Sequence, residues 1–474
     1  MEEVNGKNVL AVPFPAQGHV KPLMKLCHKI AKHGIKVTFV NLESINQKIT
    51  AAGKTSDEDE DEDEDEDGVD NIELVTLPDD DDGETRGHDA IDVLKMAVKL
   101  RATMPESLKG LIERINKAST PDSKISCVIA DVAVGWILET ATELGAEPLL
   151  FMPASAAPLA LITHIPDLLE QGFLRPDGSV KGDSIIISDD IPVWGKDELP
   201  WCIPNSTEAQ KLFFESWKEL ENPTTKWILT NNFYDVESSA CNFIPNLLPI
   251  GPLLEDNASK SSVNSYNFHA DDVSCLSWLD SKPPGSVVYV SFGSSAVFSQ
   301  QQLDELAVGL EMSGRAFLWV VRPDIANGKR AEFSDGFAER VGELGKIVEW
   351  APQEKVLSHR SVACFLSHCG WNSTLEGLSN GVPFLCWPYF GDQFHNQNYI
   401  CDKWEIGLRI DPDENGIRLG HEIKNKVDML FGNDNLKGNA LKLKEMSAAS
   451  VNEGGDSYKN FHKFIDHLRN NVDR

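Results

Sequence analysis

The residues from Trp350 to Gln393 have the types and spacing of an anion cradle. They read WAPQEKVLSHRSVACFLSHCGWNSTLEGLSNGVPFLCWPYFGDQ. Within them VACFLS, residues 362–367, is a buried-strand pattern. A tight His368-Cys369-Gly370 turn follows, and Asn372-Ser373-Thr374 opens a helix. Backbone N–H groups and the positive end of the helix dipole then point at whatever sits above that turn. Small hydroxyl and amide side chains add donors. This is a phosphate cradle without the P-loop pattern. The plain alternative is an ordinary N-terminus, with Ser373 and Glu376 forming a capping box. A different chemistry belongs to His19, in Pro15-Ala16-Gln17-Gly18-His19. An imidazole with a solution pKa of ~6.5 can take a proton near neutral pH. A lone histidine after a strand is otherwise a cap or a surface residue. Asp131 ends the run SCVIAD, where a carboxylate ordinarily caps the next helix.

These residues need elements to hold them. NVLAVP, residues 8–13, reads as a buried strand. A helical stretch follows to about His33, with Leu23, Leu26, Cys27 and Ile30 on one face and Gly34 placed to end it. KVTFVNL, residues 36–42, is the next strand. Strand, helix and strand in this order predict a parallel sheet with a right-handed crossover. The alternation continues through a helix carrying Met104, Leu108, Leu111, Ile112 and Ile115, then strands SCVIADV, EPLLFM and KWILTNNF. Residues 249–272 are rich in Pro, Ser and Asn and read as an interdomain linker. Beyond them VVYVSF, FLWVVR and VACFLS are strands. Ser299 and Gln302 make a capping box ahead of Leu303, Leu306, Ala307 and Leu310. The last segment, with Tyr458, Phe461, Ile465 and Leu468, is an amphipathic helix. The expected architecture is α/β, two Rossmann-like domains whose parallel sheets face a cleft. The domains span residues 1–248 and 273–455, with residues 456–474 returning to the first. Strand C-termini and helix N-termini facing a cleft make a usual ligand site.

Composition narrows the function classes. A chain of 474 residues suits two domains, and its net charge is −30. Eleven of the acidic residues form the run from Asp57 to Asp67. Such a run buries no apolar area, so a disordered loop over about 54–70 is expected. A metal site of the Asp-x-Asp kind is the sharper alternative, and low-complexity runs match that motif by accident. The acidic balance argues against nucleic acid or anionic membrane as partner. The N-terminus lacks a basic n-region and a long apolar h-region, so no signal peptide is expected. No apolar stretch of about 18 residues predicts a membrane span. Nine scattered cysteines without CxxC or metal-type spacing fit a reduced, cytoplasmic setting.

The block from Trp350 to Gln393 resembles the signature box of plant family 1 UDP-dependent glycosyltransferases, through WAPQ, SHCGWNS, EG, GVP, WP and DQ. VVYVSFGS, FLWVVR and PFPAQGHVKP are similar to the family as well. The resemblance implies the GT-B type of fold, with an acceptor-binding first domain and a UDP-sugar-binding second domain. It implies that Trp350 stacks on uracil, Ala351 meets the base through its backbone, and Gln353 and Glu376 bind ribose. It places the diphosphate on His368, Asn372, Ser373 and Ser294, and sets Trp371, Asp392 and Gln393 against the sugar. Tryptophan at 371 and glutamine at 393 go with glucose in that family. His19 takes the position of the general base, and Asp131 that of the carboxylate orienting it.

The implied reaction is a single inverting displacement. Glucose passes from UDP-glucose, a co-substrate, to a hydroxyl of a small lipophilic acceptor such as a flavonoid or other phenolic, giving a β-glucoside. No metal or other cofactor is expected, and a monomer is. One departure stands out. Many relatives carry Thr or Ser against the sugar's 6-hydroxyl where this chain has Pro153, with Ser155 out of register. Another UDP-sugar, or a terpenoid or hormone acceptor, is an alternative. The acceptor is expected near Phe14, Phe151, Met152, Trp201 and Phe394. A nucleotide-sugar epimerase or dehydrogenase would match Tyr399 and Lys403, but no GxGxxG follows the first strand. A noncatalytic UDP-sugar-binding protein would predict loss of His19 or Asp131, and both are present.

Overall fold

Every residue of the first strand, β1 (Asn8–Val12), is at most 1 % exposed, so both of its faces are covered. Continuous apolar runs of this kind belong in parallel sheets flanked by helices on both sides. The computed structural model describes residues 8–53, 71–79, 90–119, 124–202, 206–220, 225–255, 267–334 and 336–470. In it β1 joins β2 (Lys36–Leu42), β3 (Ile72–Leu77), β4 (Ile125–Asp131) and β5 (Glu147–Met152). A short antiparallel ribbon follows, β6 (Ser184–Ile185) with β7 (Trp194–Gly195). Two more strands, β8 (Ile228–Thr230) and β9 (Leu247–Pro249), complete a parallel sheet ordered β3-β2-β1-β4-β5-β8-β9.

The second sheet repeats the plan. It contains β10 (Val287–Ser291), β11 (Ala316–Val320), β12 (Gly345–Val348), β13 (Val362–Ser367), β14 (Phe384–Cys386) and β15 (Gly407–Arg409). All are parallel, ordered β12-β11-β10-β13-β14-β15. In each sheet the chain winds outward from its first strand, then returns to that strand's other side. The order reverses between β1 and β4, and again between β10 and β13. At such a switch point the two following loops diverge and leave a crevice at the carboxyl ends of the strands. His19 follows β1 and Asp131 ends β4; Ser294 follows β10 and His368 follows β13.

Two compact units result. The first draws on residues 1–178, 206–270 and 449–474, and the second on 179–205 and 271–448. Segment 179–205, expected in the first domain, thus packs with the second. The C-terminal helix Asp456–Asn470 lies in the first unit and buries Phe461, Phe464, Ile465 and Leu468, while Tyr458 is half-buried. Asn460 Nδ2 donates to the Pro249 carbonyl at 2.9 Å. The His467 imidazole lies 2.8 Å from the Glu147 carboxylate and edge-on to Trp227. The acidic run from Asp57 to Asp67, and the disorder expected of it, lie outside the described residues, as does much of the expected linker. No helix among the described residues is long and apolar enough to cross a membrane. All nine cysteines are free thiols.

Several local expectations change. KWILTNNF pairs only over Ile228–Thr230. Beyond it, Asn231 and Asn232 accept from the backbone N–H groups of Leu253 and Phe233 with their side chains. Ser299 does cap its helix, accepting from Gln302 N at 3.2 Å. Gln302 does not return the bond; its amide instead meets the backbone of Arg418. Half a capping box forms.

Candidate active site

In the first unit His19 is the third residue of helix Gln17–Ala31, directly beyond β1. Its Nδ1 lies 2.8 Å from Asp131 Oδ2. Asp131 is fully buried at the end of β4, whereas the His19 side chain is 32 % exposed. The imidazole is therefore held on its Nδ1 edge by a buried carboxylate and is partly exposed to solvent. The two Asp131 oxygens divide the work. Oδ1 accepts from Ala133 N at 2.9 Å and caps the short helix Val132–Ile137. The capping reading and the pairing reading of Asp131 thus hold together. Phe14 packs edge-on against the imidazole at 5.3 Å. Gln17 pins the start of the helix, accepting from Phe268 N at 2.8 Å and donating to Asn267 at 3.3 Å.

In the second unit β13 ends at Ser367, whose hydroxyl accepts from Cys369 N at 3.1 Å. Cys369 is left-handed, with φ of 64°, an uncommon state for a residue with a Cβ. Helix Trp371–Ser379 then starts at N-cap Gly370 without any side-chain cap. The Ser373–Glu376 capping box is therefore not formed. Both side chains turn to Gln353, the first residue of helix Gln353–Ser358. Gln353 Nε2 donates to Ser373 Oγ and to Glu376 Oε2, each at 2.7 Å. Gln353 Oε1 accepts from the buried Tyr289 hydroxyl at 3.1 Å. Ser373 and Glu376 are 6 % exposed, so a hydroxyl and a carboxylate are held together on the Gln353 amide.

His368 sits between two glycine backbones. A Cβ on Gly370 would meet its Nε2 at 2.4 Å, and one on Gly293 at 2.8 Å. Burial, with the nearby Arg322 guanidinium second, pushes the His368 pKa down to about 4. The ring is therefore neutral, not a cation, at physiological pH. Arg322 is 1 % exposed and holds the turn after β10, donating to Gly293 O at 2.6 Å and Ala296 O at 2.7 Å. Half-buried Ser294 lies in that turn, its hydroxyl 3.5 Å from that of Ser295. The sequence marked Arg322 only as a strand end; the sole signal was a cation closing an apolar run at a carboxyl edge.

The remaining predicted positions are held as follows. Trp350 is half-buried, and its carbonyl accepts from Asp272 N at 3.1 Å. Ala351 is buried beside it. Trp371 is 3 % exposed and lies near Trp404. Asn372 is half-buried in the first turn of the helix. Gln393 Oε1 accepts from Tyr389 N and Phe390 N, which shapes the loop before it. Half-buried Asp392 accepts from Asn396 Nδ2 at 3.0 Å, and the same amide nitrogen donates to the Cys369 carbonyl at 2.9 Å. Asn396 thus ties the Asp392 carboxylate to the His368 turn, a link with no local pattern in the sequence. Of the residues named for an acceptor, Phe14, Phe151, Met152 and Trp201 are buried and Phe394 is half-buried. Trp201 and Phe394 belong to the second unit. Pro153 is buried, and Ser155 is the N-cap of helix Ala156–Thr163 without making a side-chain cap bond. Buried Glu237 takes that part, accepting from Ala156 N at 2.9 Å.

Residues 217–449 match the family described as UDP-glucoronosyl and UDP-glucosyl transferase, and residues 5–147 match the glycosyltransferase N-terminal domain. UDP-glycosyltransferase 83A1 of Arabidopsis thaliana is 38 % identical, over 98 % of this chain and 97 % of its own length. Gallate 1-beta-glucosyltransferase 84A24 of Punica granatum is 32 % identical, over 98 % and 89 %. The structure of Phytolacca americana UGT2 complexed with UDP-2fluoro-glucose and pterostilbene is similar with a TM-score of 0.78 at 25 % identity, covering 97 % of this chain and 99 % of that one. Fold and matches together define a two-domain glycosyltransferase of the GT-B type. The chain belongs to the plant family 1 UDP-dependent glycosyltransferases.

Proposed function

We propose that the chain is an inverting glucosyltransferase that moves glucose from UDP-glucose to a hydroxyl of a small lipophilic acceptor, a flavonoid or other phenolic. The observation that carries this is the dyad of half-exposed His19 on fully buried Asp131, 2.8 Å apart at the switch point of the first sheet. With Nδ1–H donated to Asp131, Nε2 is the atom that takes the acceptor's hydroxyl proton. The acceptor oxygen bonds to the anomeric carbon as the bond from that carbon to the UDP oxygen breaks. One displacement inverts the centre, so an α-linked donor gives a β-glucoside. Charge spreads through an oxocarbenium-like state. Asp131 stabilises the imidazolium formed.

In the second unit the uncapped start of helix Trp371–Ser379, with Ser294, Asn372, Ser373 and neutral His368, receives the diphosphate and stabilises it as it leaves. Trp350 and Ala351 hold the base. Gln353 and Glu376, already linked, meet the ribose. Trp371, Asp392 and Gln393 meet the sugar. These groups call for no metal. The phenolic class draws support from gallate in the name of one relative and pterostilbene beside another. A monomer in the cytoplasm fits the reading.

The test is to supply UDP-glucose and a flavonol, measure UDP release, and identify the glucoside by mass spectrometry and its anomeric configuration by NMR. We expect UDP and β-glucoside in equal amounts. His19→Ala should lower kcat by about 10²–10⁴-fold with UDP binding retained. Tight UDP binding without turnover across a panel of phenolic, terpenoid and hormone acceptors would sink the enzyme reading. An α-glucoside would sink the single displacement.

A further inference from the structure

The chain leaves the first unit after Gly178 and rejoins it at Ser206, and the intervening segment packs within the second unit. Its centre is Trp194 in β7, 0 % exposed. The Trp194 indole lies flat on the imidazole of His395, ring centroids 3.5 Å apart and planes 3° from parallel. His395 is also fully buried, and Tyr399 meets it edge-on at 5.2 Å. Neither nitrogen of the His395 ring has a hydrogen-bond partner among the described residues. The ring is held by aromatic packing, and burial keeps it uncharged.

Polar contacts pin the same segment along one helical stretch. Asn398 Nδ2 donates to Glu198 Oε2 at 3.2 Å, and Lys403 Nζ donates to the Asp189 carbonyl at 2.8 Å. Arg409 in turn donates to Asn398 Oδ1 at 2.8 Å. His395 belongs to helix Gln393–Asn398, whose N-cap is Asp392. The next residue, Asn396, carries the amide that joins the Asp392 carboxylate to the Cys369 carbonyl. Face-to-face packing on His395 therefore sets the rotation of a helix one residue away from the group that orients Asp392.

We propose that Trp194 is a positioning residue for the donor's sugar, acting through His395 and Asn396 on Asp392. This deepens the donor-site reading above and rests on it. Its consequence is selective. Loss of the stack disturbs the corner that meets the sugar and spares Trp350, Gln353 and Glu376, which hold the nucleoside. A residue that merely fills space would weaken UDP-glucose and UDP alike.

The experiment compares KM for UDP-glucose with the inhibition constant of UDP, which has no sugar, in wild type, Trp194→Leu and Trp194→Phe. We expect Trp194→Leu to raise KM about tenfold while the UDP constant changes by less than about twofold. Phenylalanine, which can still stack, should restore most of the difference. Equal shifts in both constants, or no shift in either, would overturn the proposal. Should Trp194→Leu not fold, His395→Leu removes the stack from the other side and is held to the same ratio. Wild type separates the two levels of argument. Turnover of UDP-glucose with an unchanged ratio in the variants defeats only this inference, whereas a wild type that does not use UDP-glucose defeats the donor reading and this inference with it.

Discussion

Asp131 serves two masters through two oxygens, and that makes it the most informative residue to change. Oδ1 accepts from Ala133 N and Oδ2 faces His19 Nδ1. In Asp131→Asn the carbonyl must stay on Ala133, because an NH2 there would oppose another donor. The NH2 then faces Nδ1 and forces the proton onto Nε2, the atom that should act as base. We expect kcat to fall by about 10²–10⁴-fold with little change in Tm. Asp131→Ala should cost similar activity and in addition about 1 kcal/mol of stability from the lost cap. Comparing the two variants by steady-state kinetics and thermal unfolding separates orientation from capping. Equal activity in Asp131→Asn and wild type would remove Asp131 from the mechanism.

At the scale of elements, the strand, turn and helix around His368 depend on absent side chains. Gly370 has φ of −61° and ψ of 145°, a conformation alanine adopts without strain. Its added methyl would nevertheless meet His368 Nε2 at 2.4 Å. Gly370→Ala should therefore displace the imidazole and weaken UDP binding by at least about tenfold, or ~1.4 kcal/mol, measured by calorimetry. Gly438→Ala, with nothing within 4 Å of the added carbon, is the control and should bind UDP normally. This turn was legible in the sequence because a buried run, a Gly and a polar triplet lie in one short stretch. The partners of Ser373 and Glu376 were not. Their spacing satisfies a local capping rule, yet Gln353 from an earlier helix outcompetes it. Asn396 and the Trp194–His395 stack were invisible for the same reason. Each is defined by a contact across the fold, and a lone Trp or Asn among polar neighbours carries no periodicity. The parallel sheets were legible because apolar runs alternate with helical spacing, but the destination of residues 179–205 depends on packing alone.

At the scale of the whole molecule, buried neutral histidines make stability depend on pH. Burial lowers the pKa of His395 well below its ordinary value of 6.5, and His368 is pushed down to about 4. A base whose folded pKa is depressed binds fewer protons folded than unfolded between the two values. Stability therefore rises with pH across that window. It is complete above about 6.5 and declines as pH falls toward 4. Both rings lie in the second unit, and burial also lowers the pKa of His28 and His33 in the first. Many carboxylates also protonate in this range, and a difference between variants cancels their share. His395→Phe keeps a flat ring on Trp194 and removes the titrating group. The Tm drop from pH 7.5 to 5.0 should be smaller in His395→Phe than in wild type by on the order of 2–4 °C, what ~1 kcal/mol is worth to a unit of this size. Its KM for UDP-glucose at pH 7.5 should match wild type, since the stack that sets the helix persists. An identical Tm drop in the two proteins would mean that His395 gains its proton without cost, which a ring buried by Trp194 and Tyr399 does not allow.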